Sequence, residues 1–497
     1  RDSVASRGLG DVYKRQTLND VFKNIEQNQP SHLNRLQEFL KQPSVAPESI
    51  GLKECSDLLQ KYLNEIGFTD VTPIDVGAVN GEAPEIFGKI ESGANRTMVI
   101  YNMYDTGPAG NEADWNNPPF GAEIIDISGQ GKAVVARGAD VRKGPLIAFL
   151  NAVESIIRTD GALPVNLRFV AEGEEVLGSP NFPSFVKDNN ELFKGADSVF
   201  WPMAAISKDG NTEIKLGAKG MLGFELECSS KSWGRGPMGS PSHSADKAII
   251  DSPMFRIVQA ISSMTDISGN VAQIKGFYDN VQPPTDEELQ IIDELLKTYD
   301  VDTLKKSLNV DCFIDDLSGK DALIKYLFSP VFQLGSIIGA KTSVLPSIPL
   351  SASAIIHCRV IPNMTTGEVF DKVRLHLDSK GFNDISVKPL YQVPWMKTSS
   401  QDPAVQSLIK TYDSVGVTPQ IWPKQPRTPP PAVFGLPYVD GGFGKGGNRG
   451  APNEYLIVDG TDGTPGLVEF EKFFAMELQK QDVSPGTRWL RYVRLLD

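Results

Sequence analysis

Two adjacent acids, Glu174 and Glu175, stand in the stretch FVAEGEEVLGSP, from Phe169 to Pro180. A carboxylate pair can do general acid–base work, one group moving a proton while its neighbour holds a charge or a cation. Adjacent acids on a loop are equally what a solvated surface provides, and the pair alone leaves both readings open. Two further carboxylates lie upstream, Asp105 in YNMYDTGPAG and Asp140 in RGADVRKG. Downstream, His243 in SHSADKAIIDSP can exchange protons near neutral pH, and Arg359 in CRVIP can pair with a carboxylate. Thr428 in RTPPP and Asn453 with Glu454 in GAPNEYL add polar groups. A lone histidine or arginine on a loop or strand end is also an ordinary surface hydrogen-bonder.

The elements that must position these groups are legible from periodicity. LPVNLRFV alternates and is rich in β-formers, so Glu174 and Glu175 fall just past the C-terminal end of a buried strand, where open α/β sheets place ligands. An amphipathic helical start, TLNDVFKNIEQNQPSHLNRLQEFLKQ, leads into strands and helices that alternate up to about Gly217. The texture then changes to the strand GFELECSSKS, the Gly/Pro/Ser stretch WGRGPMGSPSHS and the helix SPMFRIVQAISSM. A helical insertion follows (TDEELQIIDELLKTYD, GKDALIKYLF), then SASAIIHCRVIP, TGEVFDKVRLHLDSKG and DISVKPLYQVP as strand, helix, strand. After this inserted α+β block, DPAVQSLIKTYDSV and VDGGFGKGGNRGAPNEYL return to helix, loop and strand. That Gly-rich loop lacks both the Lys-Ser/Thr of a phosphate loop and a GxGxxG spacing.

Composition narrows the function classes. A chain of 497 residues with 40% hydrophobic and 22% charged residues has the balance of a soluble globular protein with two or three cores. No apolar run approaches the roughly 20 residues that a spanning helix needs. A net charge of −13 argues against nucleic acid or an anionic membrane as the main partner. Cys55, Cys228, Cys312 and Cys358 are scattered without C-x-x-C spacing, which fits reduced thiols and a cytoplasmic protein. The opening RDSVASRGLGDVYKRQ has no apolar signal region and reads as a cloning scar, so residues 1 to 16 are set aside from fold reasoning.

Read together, YNMYDTGPAG, WNNPPF, VVARGADVRKGPLIAFLNAVESI and LPVNLRFVAEGEEVLGSP resemble, in order and spacing, the catalytic half of the M20 metallopeptidase family. This family includes dizinc dipeptidases and acyl-amino-acid hydrolases of the carnosinase type. SHSADKAIIDSP, CRVIPNMTTGEV and GAPNEYLIVDG resemble its lid domain and C-terminal return, and the likeness runs from residue 17 to about residue 480. The resemblance implies an α/β, zinc-peptidase-like catalytic domain (17–218 and 395–482) with an inserted α+β lid, or dimerisation, domain (219–394) and a tail (483–497).

It also implies a site built from a His-x-Asp, a bridging Asp, a catalytic Glu beside a metal-binding Glu, a further acid and a late His. Here those positions fall on Met103 with Asp105 retained, on Val141, on Glu175 beside Val176, on Met203 and on Gly450. Valine and glycine donate nothing to zinc, and a Met thioether suits softer metals. The sequence therefore predicts no metal and no cofactor, with Glu175, Asp105 and His243 as catalytic candidates. Arg359, Glu174, Asn453 and Thr428 are the substrate-binding candidates. With Met103, Val141, Val176 and Met203 around it and no cation nearby, Glu175 is expected to be pushed towards its neutral form.

The leading reading is a homodimeric relative that binds a small peptide- or acyl-amino-acid-like ligand without metal-dependent hydrolysis. One alternative is a metal-independent enzyme using Glu175 as acid and base on an amide-like substrate. Another is a hydrolase whose Asp105, Asp140 and Glu175 hold a hard ion such as magnesium.

Overall fold

The computed structural model describes residues 2–79, 81–207, 210–339, 347–461 and 463–481, with side chains from residue 18 onward. Residue 1 and the tail assigned to 483–497 lie outside the described residues. The fold is mixed α/β and divides into two units. Unit 1 comprises Arg1–Leu216, Thr398–Ile421 and Leu436–Asp497, and unit 2 comprises Gly217–Lys397 and Trp422–Gly435.

Unit 1 is built on a six-stranded sheet. The strands Asn166–Glu172, Thr97–Met103, Ser198–Pro202 and Tyr438–Gly441 run parallel in that order, and Glu85–Ile90 and Thr69–Ile74 complete it antiparallel beyond Asn166–Glu172. Every residue from Met98 to Met103 is buried, as expected of a parallel strand covered on both faces. The register sets Met103 opposite Glu172, so the loops after both strands open at the same edge.

The helix Lys143–Asp160 is buried along its whole length from Lys143 to Ile156 and ends at Gly161, whose φ of 78° suits glycine. It packs between the helices Asp2–Lys41 and Leu467–Lys480. Asp2–Lys41 is one helix that runs through Pro30 and takes in the backbone of the segment set aside as a scar. Polar groups pin the three helices: His32 Nδ1 lies 2.7 Å from Glu471, Asn151 donates to Glu471 at 2.8 Å, and Arg35 donates to Asn151 and Glu154 at 2.6 Å each. Among the described residues no helix is long and apolar enough to cross a membrane.

Unit 2 is centred on a four-stranded antiparallel sheet in the order Val331–Ile338, Ser351–Val360, Gly220–Ser229, Ser386–Val393. Period-two alternation sends Leu222, Phe224, Leu226, Ala354 and Ile356 into a core with the helices Pro253–Met264 and Thr366–Ser379. The opposite face carries Met221, Gly223, His357 and Arg359. The insertion forms the helices Asp286–Leu295, Asp302–Leu308 and Gly319–Phe328, and the first and last of these share a small core with Trp422. That packing draws Trp422–Gly435 out of the chain's last third and into unit 2.

Candidate functional site

The C-terminal ends of the central parallel strands of unit 1 bring Met103, Asp105, Glu174, Glu175 and Val176 to one edge of the sheet. Asp105 is fully buried there. Its Oδ2 accepts from the Val176 backbone N–H at 2.8 Å, and its Oδ1 accepts from Arg142 at 3.2 Å. Burial pushes the Asp105 carboxyl up to about 6, against the pull of Arg142.

Arg142, the residue before the helix Lys143–Asp160, is the centre of this arrangement. One guanidinium nitrogen donates to Asp105 and lies 3.3 Å from the Met103 sulfur, and the other donates to Glu175 Oε2. Burial alone would make Arg142 easier to deprotonate, yet Asp105 and Glu175 hold it above its ordinary value, so it is permanently charged. The side chains of Arg142 and Glu175 retain 15% and 23% exposure, so solvent meets this pair and does not meet Asp105.

This corrects the expectation that Glu175 sits among apolar side chains with no cation nearby. The positions used to infer its surroundings were Met103, Val141, Val176 and Met203. The charge comes instead from the residue that follows Val141. The sequence signal was present, an arginine between Val141 and the start of a helix, but nothing local said which way its long side chain would turn.

The other candidates separate. Both oxygens of Glu174 are used inside the protein, by the Val79 N–H and the Asn181 amide at 2.6 Å each. Asn453 takes up the left-handed backbone at φ 60° and spans to the preceding loop, accepting from the Asn116 N–H at 2.7 Å and donating to the Asp114 carbonyl at 3.0 Å. Both side chains are thus engaged by loops of unit 1. Glu454 accepts from Arg137 and from the Gly138 and Asp140 N–H groups, at 3.1 Å each, and so fixes the loop that precedes Arg142.

Asp140 does not join Asp105 and Glu175, because Arg449 holds it at 3.0 Å. Among the described residues no three His, Cys, Asp or Glu side chains gather so as to hold a metal ion. Met203 follows the strand Ser198–Pro202 with its N–H bonded to the Gly441 carbonyl at 2.9 Å, and Gly450 is exposed at φ 71°. Val141 is half-buried.

Two acids behind this edge were not singled out from the sequence. Glu172 and Glu85 face each other across neighbouring strands, beyond the Ile86–Ala171 pair. Glu172 accepts from the Tyr101 hydroxyl and, at 2.9 Å, from Ser179. Burial, and then the charge of its acidic neighbours, lifts Glu85 well above the carboxylate range, and burial does the same for Glu172.

Unit 2 holds the remaining candidates. His243 is exposed and its Nδ1 accepts from the Ala245 N–H at 3.2 Å, capping the short helix Ser244–Ala248. Arg359 donates to the Thr428 hydroxyl at 2.7 Å, and that hydroxyl donates to the Lys219 carbonyl at 2.6 Å.

The chain is similar to known proteins over most of its length. The model of peptidase family M20/M25/M40 matches residues 99–462. The Cys-Gly metallodipeptidase DUG1 of Candida albicans is 28% identical over 390 residues, 74% of this chain and 76% of that protein. The Beta-Ala-His dipeptidase of Homo sapiens is 26% identical over 382 residues, 73% of this chain and 71% of that protein. The crystal structure of the M20 family metallo-carboxypeptidase Sso-CP2 from Sulfolobus solfataricus superposes with a TM-score of 0.74 at 26% identity, covering 91% of this chain and 98% of that one.

Proposed function

From the premise that this chain belongs to peptidase family M20/M25/M40, we propose that it binds a small dipeptide- or acyl-amino-acid-like ligand and does not carry out metal-dependent hydrolysis. The observation that carries this reading is Arg142, whose guanidinium lies on both Asp105 and Glu175. A dizinc centre would need imidazole and carboxylate donors at Met103, Val141, Val176, Met203 and Gly450, and the side chains present do not fit it. A guanidinium supplies a single positive charge and directional hydrogen bonds. It can orient a carbonyl or carboxylate oxygen, but it does not turn a bound water into hydroxide at neutral pH. A site of this kind recognises a peptide-like ligand without generating the nucleophile that cleaves it.

One observation favours a second reading, in which Glu175 moves a proton on an amide-like substrate without any metal. Glu175 is the only one of the three clustered acids here, with Asp105 and Glu174, to keep solvent access, and Arg142 engages its Oε2. Under either reading unit 2 serves as the lid and the dimerisation domain, supported by the edge strand Val331–Ile338 with Val331, Ile337 and Ile338 exposed. The exposed free thiol of Cys312 is consistent with a reducing, cytoplasmic setting.

The test is metal content by mass spectrometry on protein purified without a metal-affinity step, with binding and turnover measured against dipeptides and N-acyl amino acids. We expect substoichiometric metal, saturable binding and no zinc-stimulated cleavage. Zinc bound as a pair in every chain, with peptidase turnover, overturns the reading. Cleavage that persists in chelator and is lost in Glu175→Gln selects the second one.

A further inference from the structure

The chain as a whole carries a formal charge of −13, yet one end of the open face of the unit 2 sheet collects cations. Lys219 precedes the strand Gly220–Ser229, and Arg359 lies opposite Met221, which shares the face of Lys219. Thr428 ties them together, accepting from Arg359 at 2.7 Å and donating to the Lys219 carbonyl at 2.6 Å, and so brings the adjacent Arg427 to the same place. The three prolines that follow, Pro429–Pro431, stiffen this connection.

What distinguishes the group is its lack of counter-charge. Lys219 is 2% exposed and its ammonium donates to the Ser329 carbonyl at 2.6 Å. Among the described residues no carboxylate pairs with Lys219, Arg359 or Arg427. Lys424, also buried, shares its acid: Glu288 lies 3.5 Å from Lys424 and 3.1 Å from Lys397. Burial, and then Lys424 and Arg359, lower Lys219 to about 7, and burial lowers Arg359, with Arg427 acting in the same direction. Burying charge without a partner is costly, and an arriving anion relieves that cost.

The same face is shaped beside the cations. His357 stacks on Tyr391 with ring centroids 6.1 Å apart and bonds its hydroxyl. A Cβ on Gly223 would stand 2.3 Å from the Tyr391 ring and one on Gly335 would stand 2.5 Å from His357, so both glycines are required for this pair to lie flat.

We propose that Arg427, with Lys219 and Lys424 as the buried charge behind it, reads a second acidic group on the ligand, beside the carboxylate that falls to the substrate-binding candidate Arg359. The inference rests on the reading that the chain binds an acyl-amino-acid-like ligand, and adds that the amino acid's own side chain is acidic, a carboxylate or a phosphoester. Two guanidiniums can each take one acidic group bidentately, and a single carboxylate leaves one of them unused.

The test is calorimetry on the full chain with four probes: N-acetylglutamine, N-acetylglutamate, N-acetyl-O-phosphoserine and glutarate. N-Acetylglutamate or the phosphoserine compound should bind about tenfold or more tightly than N-acetylglutamine, and the tighter of the two names the acidic group. Arg427→Gln should remove most of that gain, so that N-acetylglutamate binds no more than about twofold more tightly than N-acetylglutamine. Arg427 is exposed, so this variant should fold whatever becomes of Lys219→Met, which should act in the same direction. Glutarate, with two carboxylates and no amide, separates the inference from its premise. Glutarate bound through Arg427, with the N-acetyl compounds no tighter, keeps the anion site and removes the acyl-amino-acid reading. N-Acetylglutamine bound as tightly as N-acetylglutamate removes the anion site and keeps that reading, and no binding by any probe removes both.

Discussion

At the scale of single residues, Arg142 joins a buried carboxylate to one that meets solvent, and the reading proposed for unit 1 turns on it. Arg142→Ala should cost about 3 kcal/mol or more in urea unfolding, since it leaves Asp105 buried without a counter-charge. Arg142→Lys should recover only part of that loss, because an ammonium cannot span both acids as a planar fork does. Zinc affinity tests the same residue from the other side. Met103→His, Val141→Asp, Val176→Glu, Met203→Asp and Gly450→His made together should create zinc binding by calorimetry, and adding Arg142→Ala should tighten it by removing a competing cation. Wild-type protein that binds zinc as tightly as the combined variant would count against the assignment of these positions. The identities of all these residues were readable in the sequence. Their partners were not: Glu174 closes on Val79 and Asn181, and Asn453 on Asp114 and Asn116. Such long-range pairings follow from the way distant loops converge, which periodicity does not encode.

At the scale of elements, the strands and helices followed from pattern because each buries a regular face. The run LPVNLRFV does end in a strand whose loop carries Glu174 and Glu175, and the alternation in SASAIIHCRV appears as the strand Ser351–Val360 with every second residue buried. What pattern could not give was the placement of RTPPP, which joins unit 2 through Trp422 and Thr428. Two predictions belong here. Asn453→Ala should cost about 1 to 2 kcal/mol in urea unfolding, through two lost hydrogen bonds and a left-handed backbone that alanine resists. Lys219→Met should change how stability depends on pH. An unfolded lysine titrates near 10.5 and folded Lys219 near 7, so between these values the unfolded chain binds more protons and wild-type stability rises with pH. Below about pH 7 the folded protein bears the full cost of the buried ammonium. The variant's melting temperature should therefore exceed that of wild type at about pH 6 and converge with it towards pH 10.

At the scale of the whole molecule, acids outnumber bases to give a net charge of −13, and the cations of unit 2 make a local exception to it. Light scattering should give a dimer, and a charge such as Ile337→Lys on the exposed edge strand should shift it towards monomer with little change in folded stability. A strict monomer in the wild type would remove the dimerisation role proposed for unit 2. The sheet of unit 1 is completed by Tyr438–Gly441, which pairs in parallel with Ser198–Pro202. A ribosome must therefore make more than two hundred further residues, unit 2 among them, before that edge is closed. Until residue 438 emerges, the strand Ser198–Pro202 lacks the partner that covers its outer edge, and an uncovered strand edge is where a nascent chain can pair with the wrong neighbour.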